Sequence, residues 1–222
     1  MGYTLVFGVL DILNPLDNRE PGLVDIEDLR RPLGMTRFDY YVGSWSVTAI
    51  AIPEVRFDFL PPLGSDFSPF ASGLEVPRER IPSDFGSNTE WAGAVTGIFH
   101  GWDISFHVAD YWEDWPHVIP VPAAPENPFG AASRHGRQIL VGSGGNYTIG
   151  PWLLKAEVAY LDGVDYTVGT VVEIPGYGLA PLPLDTVEKW RVDAMGGIEY
   201  YGMTDTSSAL EVVDRHVHGF ER

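Results

Sequence analysis

Between Lys189 and Tyr200, charged and apolar side chains fall on opposite sides of an extended chain. Lys189, Arg191, Asp193 and Glu199 lie on one side, and Trp190, Val192, Ala194, Ile198 and Tyr200 on the other. A period of two marks a β-strand. This one is long, because an ordinary strand stops after about 5–6 residues. The pattern recurs upstream. Residues 35–53 read as a hairpin turning at Gly43-Ser44, with Phe38, Tyr40 and Val42 sharing a face with Trp45, Val47 and Ala49. Arg37 and Asp39 face the other way. A second hairpin, 90–112, turns at His100-Gly101. A third, 134–162, turns at Ile149-Gly150-Pro151 and sets Trp152, Leu154, Ala156, Val158 and Tyr160 outside, Lys155 and Glu157 inside. The fourth turns at "MTDTSS" and returns through "ALEVVDRHV", which carries Glu211.

Between the hairpins, residues 54–89, 113–132 and 163–185 read as long irregular loops rich in turn-forming residues. A weak strand signal at 3–9 leads into an irregular stretch, 10–34, in which Asp25 is placed to cap a short helix over 24–30. The expected fold is all-β: an antiparallel up-and-down meander of long hairpins, with short turns on one rim and long loops on the other. That asymmetry, with strands of about 9–11 residues, describes a transmembrane β-barrel or part of one. Residues 1–222 then form one barrel domain or a segment of a larger barrel. The insert 10–34 is expected to fold inward and plug the lumen through Asp17, Arg19, Asp25, Glu27, Arg30 and Arg31. Tryptophans and tyrosines near the strand ends fit interfacial girdles.

Composition narrows the function. A formal net charge of −17 argues against nucleic acid as a partner. Cys 0 removes thiol catalysis, disulfides and zinc-thiolate sites together. No apolar run reaches the roughly 20 residues of a membrane helix. "MGYTLVFGVL" lacks the marks of a signal peptide, so the chain is expected to be a piece of a longer protein.

The segment "DILNPLDNREPGLVDIEDLRRPLGMTRFDYYVGSWSVTAIAIPEVRFDFLPPLGSDF" resembles the proteobacterial outer-membrane proteins grouped under domain of unknown function 1302. The matching elements are Asn14, Pro15 and Asp17; Arg30, Arg31 and Pro32; Tyr40 and Tyr41; Ile52, Pro53 and Glu54; and Pro62, Gly64, Ser65, Asp66 and Phe67. "RHGRQILVGSGGNYTIGPWLLKAEVAYLDG" and "EKWRVDAMGGIEYYGMTDTSSALEV" are similar to that family's middle strands. The resemblance implies a porin-like barrel in the outer membrane of a Gram-negative bacterium, with the lipid bilayer and an export system as partners. It supplies no catalytic residues. The strand expected before the Asn14-Pro15 segment is reduced here to "YTLVFG", and later strands are missing.

Candidate chemistry is sparse. Asp25, Glu27 and Asp28 lack the spacing of a calcium loop and read as a solvated acidic turn. His216 and His218 are two apart but have no third ligand in register. "GSGGN" enters no helix and so makes no phosphate cradle. Asp103, Glu157, Asp193, Glu199 and Glu211 include no pair that stands out as a glycosidase pair. One set has a mechanism: Lys155, Glu157, Lys189, Arg191, Asp193, Glu199 and Glu211 line inward faces of adjacent strands. Such a ladder either satisfies itself structurally or tunes which solutes pass a pore wall. The expected function is a porin-like barrel that passes or binds a small or hydrophobic solute, with no enzymatic activity, metal or cofactor. The alternatives are a structural or adhesive barrel and a soluble β-sandwich that binds carbohydrate through its tryptophans.

Overall fold

The computed structural model describes residues 13–20, 29–62, 65–68, 79–124, 130–174 and 178–219. The strands in chain order are β1 (Thr36–Val42), β2 (Trp45–Ile52), β3 (Glu79–Arg80), β4 (Glu90–Phe99), β5 (Trp102–Trp112), β6 (His117–Pro120), β7 (Ala131–Arg134), β8 (Arg137–Ile149), β9 (Trp152–Ile174), β10 (Gly178–Met203) and β11 (Thr206–Val217). The only helical turn among the described residues is Gly86–Asn88. Eight strands form one antiparallel sheet in the order β1-β2-β4-β5-β8-β9-β10-β11, an up-and-down meander. It is open, with β1 and β11 at its edges. The other three make a small sheet, β3-β7-β6.

All four tight turns fall where the alternation breaks. Gly43, Gly101 and Gly150 take positive φ of 57°, 81° and 57°, and Asp205 takes 56°. That region suits glycine and tolerates aspartate, and it matches the twist of a short hairpin. The register bears out the pairing of faces: Phe38 lies opposite Ala49, Tyr40 opposite Val47 and Val42 opposite Trp45.

The region 163–185 corrects the expectation of a loop. The ladder between β9 and β10 continues from Lys189 opposite Val164 out to Gly178 opposite Ile174, with bulges between Pro183 and Asp185 and between Lys189 and Arg191. The prolines are tolerated for a topological reason. β11 pairs with β10 only as far as Arg191, so the stretch holding Pro181 and Pro183 has one edge without a sheet partner. A proline's missing N–H is harmless on such an edge. The loops 54–89 and 113–132 are also less irregular than expected, since they contribute β3, β6 and part of β7. The strand expected at 3–9, and residues 21–28 of the stretch expected to hold a helix, lie outside the described residues.

The two faces of the large sheet differ. On one, Ala109, Tyr111, Leu140, Ala159, Leu161 and Met195 form a buried cluster with Val164. The small sheet lies over this end of the same face: Thr167 donates to the Val118 carbonyl at 2.9 Å, and Arg134 pairs with Asp165 at 2.6 Å. The other face is bare. Trp91, Val95, Phe106, Val108, Val141, Leu154, Val158 and Tyr160 are exposed there.

Candidate functional site

The covered face carries the polar residues, and strand parity puts them there. Toward the tight turns, one row crosses four strands in register: Asp103 on β5, Asn146 on β8, Lys155 on β9 and Gly197 on β10, with Glu211 next on β11. Asn146 donates to Asp103 at 2.5 Å. Lys155 pairs with Glu199 and lies 3.9 Å from Glu211. Gly197 makes room for this convergence, because a Cβ there would meet Glu211 Cγ at 3.3 Å and Lys155 Cβ at 3.5 Å. Tyr201 donates a hydrogen bond to Glu199. Two residues along β9 from Lys155, Glu157 is also buried. Elsewhere on β10, Asp193 forms ion pairs with Arg191 at 2.9 Å and Arg215 at 3.3 Å. Arg215 and Tyr201 are the well-exposed members of these groups.

Five of the expected residues therefore meet as two clusters, Lys155 with Glu199 and Glu211, and Arg191 with Asp193. Lys189 stands apart near the middle of β10, just past the end of the ladder with β11, where its amine bonds the Gly219 carbonyl. Asp103, Asn146, Arg215 and Tyr201 join the array; only strand register, which alternation alone does not fix across long connections, could have placed them beside it.

The described plug candidates, Asp17, Arg19, Arg30 and Arg31, make contacts within the N-terminal segment and with residues 57–59. Asp17 and Arg19 pair with each other at 2.6 Å. Leu16 bridges Arg30, and Asp17 bridges Phe59. Arg31 lies 3.4 Å over the Phe59 ring and donates to the Phe57 carbonyl. The Asp58 carboxylate receives the Leu16 N–H at 2.5 Å and the Asn18 amide at 3.0 Å. The described N-terminal segment is thus held by residues 57–59, while the charges of Lys155, Glu199, Arg191 and Asp193 on the covered face engage one another. Asp25 and Glu27 lie outside the described residues.

Between that segment and the sheet is a polar hub which the sequence reading missed. The His135 ring is fully buried, stacked on Phe57 at 3.3 Å and 4°. Its Nδ1 faces the Glu113 carbonyl and its Nε2 the Glu79 carboxylate, each at 2.7 Å. The Glu113 carboxylate pairs with His117 and accepts from Gln138 at 2.7 Å; Tyr111 donates to Gln138 at 2.9 Å. Burial, with Asp58, Glu90 and Glu113 nearby, pushes the Asp114 carboxyl up to about 8. Burial also raises Asp58 against its bond from Leu16. A lone histidine in "SRHGRQ", with partners 22 and 56 residues away, leaves no local signal.

On the bare face, aromatic side chains gather at two levels. Near the tight turns, Trp45 meets Phe99 edge-on at 5.5 Å, Phe99 stacks on Trp102 at 4.2 Å, and Trp152 meets Tyr200 at 4.5 Å. At the other level, Trp190 lies between Tyr160 at 5.8 Å and His218 at 4.2 Å, a stack that engages one of the two candidate metal-ligand histidines. Trp152 and Tyr160 bound nine residues of β9, about 26 Å of strand at roughly 3.3 Å per residue. Among the described residues, no three His, Cys, Asp or Glu side chains converge as metal ligands.

No solved structure matches the chain. A family model described as a protein of unknown function, DUF1302, matches residues 2–222, which is nearly the whole length. The chain therefore belongs to the DUF1302 family.

Proposed function

We propose that this sheet is wall, whole or partial, of an outer-membrane porin-like β-barrel that passes or binds a small or hydrophobic solute and performs no chemistry. One observation carries the reading: the polarity of the sheet is inverted. Val158 is 46% exposed on β9 while its neighbour Glu157 is 3% exposed. A soluble sandwich buries its apolar face and wets its polar one. A bilayer-spanning wall does the reverse, with aromatic girdles bounding the apolar band. The two aromatic levels support the same reading, since nine residues of tilted strand match the roughly 9–11 that cross a bilayer. In this reading Lys155, Glu199, Glu211, Arg191 and Asp193 line the passage as paired charges of both signs.

The test is physical. Purified protein folded into detergent is expected to migrate differently before and after boiling, and to give single-channel conductance in planar bilayers. Recovery in the soluble fraction without detergent contradicts the membrane assignment. A folded, membrane-inserted protein without conductance favours a structural barrel instead.

A further inference from the structure

We propose that His135 is a proton-dependent clamp that holds the inner cover, residues 53–60, 113–124 and 130–136, over the mouth of the wall. That the cover narrows a passage rests on the porin-like reading above; the clamp itself does not. The argument is one of donors and acceptors. The Glu113 carbonyl oxygen can only accept, so His135 Nδ1 must carry a hydrogen. An ionised Glu79 carboxylate also only accepts, so Nε2 must carry one as well. A neutral imidazole has a single N–H. Both 2.7 Å contacts are satisfied only while the His135–Glu79 pair holds one proton more than a neutral ring and a carboxylate. When that proton leaves, a lone pair on Nε2 faces a carboxylate oxygen at hydrogen-bond distance, inside a site the ring cannot leave without unstacking from Phe57.

The position of the clamp gives it leverage. His135 joins three separate stretches: Phe57 from the segment after β2, Glu79 of β3, and Glu113 at the start of the connection to β6. It sits between β7 and β8, so it also ties the small sheet to the wall. Glu79 is partly open to solvent, with its side chain 42% exposed, which gives the proton a way out. The other charged groups around this junction are Asp58 and Arg31 on the N-terminal side, Glu113, Asp114 and His117 along the connection, and Arg134 beside the clamp, held by Asp165. Loss of that proton opens the clamp, so the cover is held at low pH and released as pH rises. Asp114, whose carboxyl burial pushes up to about 8, is a rival source of pH dependence.

Hydrogen exchange of the full chain, folded in lipid vesicles, separates the two. After correction for intrinsic chemical rates, amides of 53–60, 113–124 and 130–136 are expected to exchange about ten-fold or more faster at pH 8 than at pH 5.5, the effect of losing a buried hydrogen bond to a charged group. His135→Phe keeps the stack and removes both bonds, so its exchange should be fast at both pH values. Asp114→Asn should keep the response. Loss of the response in Asp114→Asn, or a His135→Phe variant that behaves like the unmodified protein, overturns the clamp. If exchange switches with pH and conductance does not, the clamp stands and the passage reading fails.

Discussion

Glu157 and Val158 are adjacent on β9, yet the carboxylate is buried and the valine exposed. The same inversion holds on β10, where Asp193 and Glu199 are buried and Ile198 is exposed. In a water-soluble fold this arrangement is unfavourable twice over, since apolar surface meets water and charge leaves it. The comparison teaches that the sheet's two faces are matched to two different surroundings. Charges on the covered face meet partners of opposite sign, whereas the bare face is mostly apolar and aromatic, with the Asp110–Arg137 pair as an exception.

The comparison can be broken from either side. On the covered face, Lys155→Met leaves Glu199 and Glu211 converging over Gly197 without their cation. Loss of one partner from a buried pair costs about 3–5 kcal/mol. A urea titration in vesicles should show a loss of that order, and a negligible one would mean that the row is freely hydrated. On the bare face, Val158→Arg is expected to cost about 2–4 kcal/mol if the residue sits near the middle of a bilayer. The same change on a surface facing water falls within about 0.5 kcal/mol, so unfolding measured in vesicles distinguishes the two surroundings.

Two glycines of the bare face sharpen it further, and they belong to one cross-strand row. A Cβ on Gly145 would stand 2.5 Å from the Asp103 carbonyl, whereas one on Gly196 meets nothing within 4 Å. Gly145→Ala should therefore cost about 1–3 kcal/mol through forced backbone shifts, and Gly196→Ala should leave the unfolding midpoint where it is.

A smaller, pH-dependent effect belongs to the cover. Asp114 keeps its proton in the fold up to about pH 8, far above the ordinary aspartate value of 3.8. Between those values the folded state binds a proton that the unfolded chain has released, so stability here falls as pH rises through that window and then levels off. Proteolysis of the 113–136 region should accelerate accordingly. Asp114→Asn should remove that part of the slope, with an advantage over the unmodified chain that is absent near pH 4 and largest at pH 8. The smallest effect is expected from Arg37→Ala, whose pair with Asp39 at the sheet edge is open to solvent; its unfolding midpoint should not move.

Alternation made the sheet legible wherever it met a tight turn. Each hairpin, turn residue and face assignment from Arg37 to Glu211 follows from a period of two broken by glycine or "MTDTSS", because those signals are local. The β9–β10 extension was hidden by Pro181 and Pro183, which read as breakers until the topology shows an edge that lacks a partner strand. The charges of the covered face were visible as a set but not as pairs. Their pairing depends on register across β8, β9, β10 and β11 and on the gap at Gly197. His135 was invisible altogether, because its three partners come from distant loops.

The absence of cysteine makes the decisive measurement direct, since every introduced cysteine is the sole labelling site. Single cysteines placed one at a time from 153 to 160 would carry a spin label in vesicles, with collision rates read for oxygen, which concentrates in lipid, and for a water-soluble nickel chelate. The account predicts a period of two along β9: high oxygen access at 154, 156, 158 and 160, and low access at 153, 155, 157 and 159. Uniform access to the nickel chelate at 154, 156, 158 and 160 would place that face in water and contradict the account.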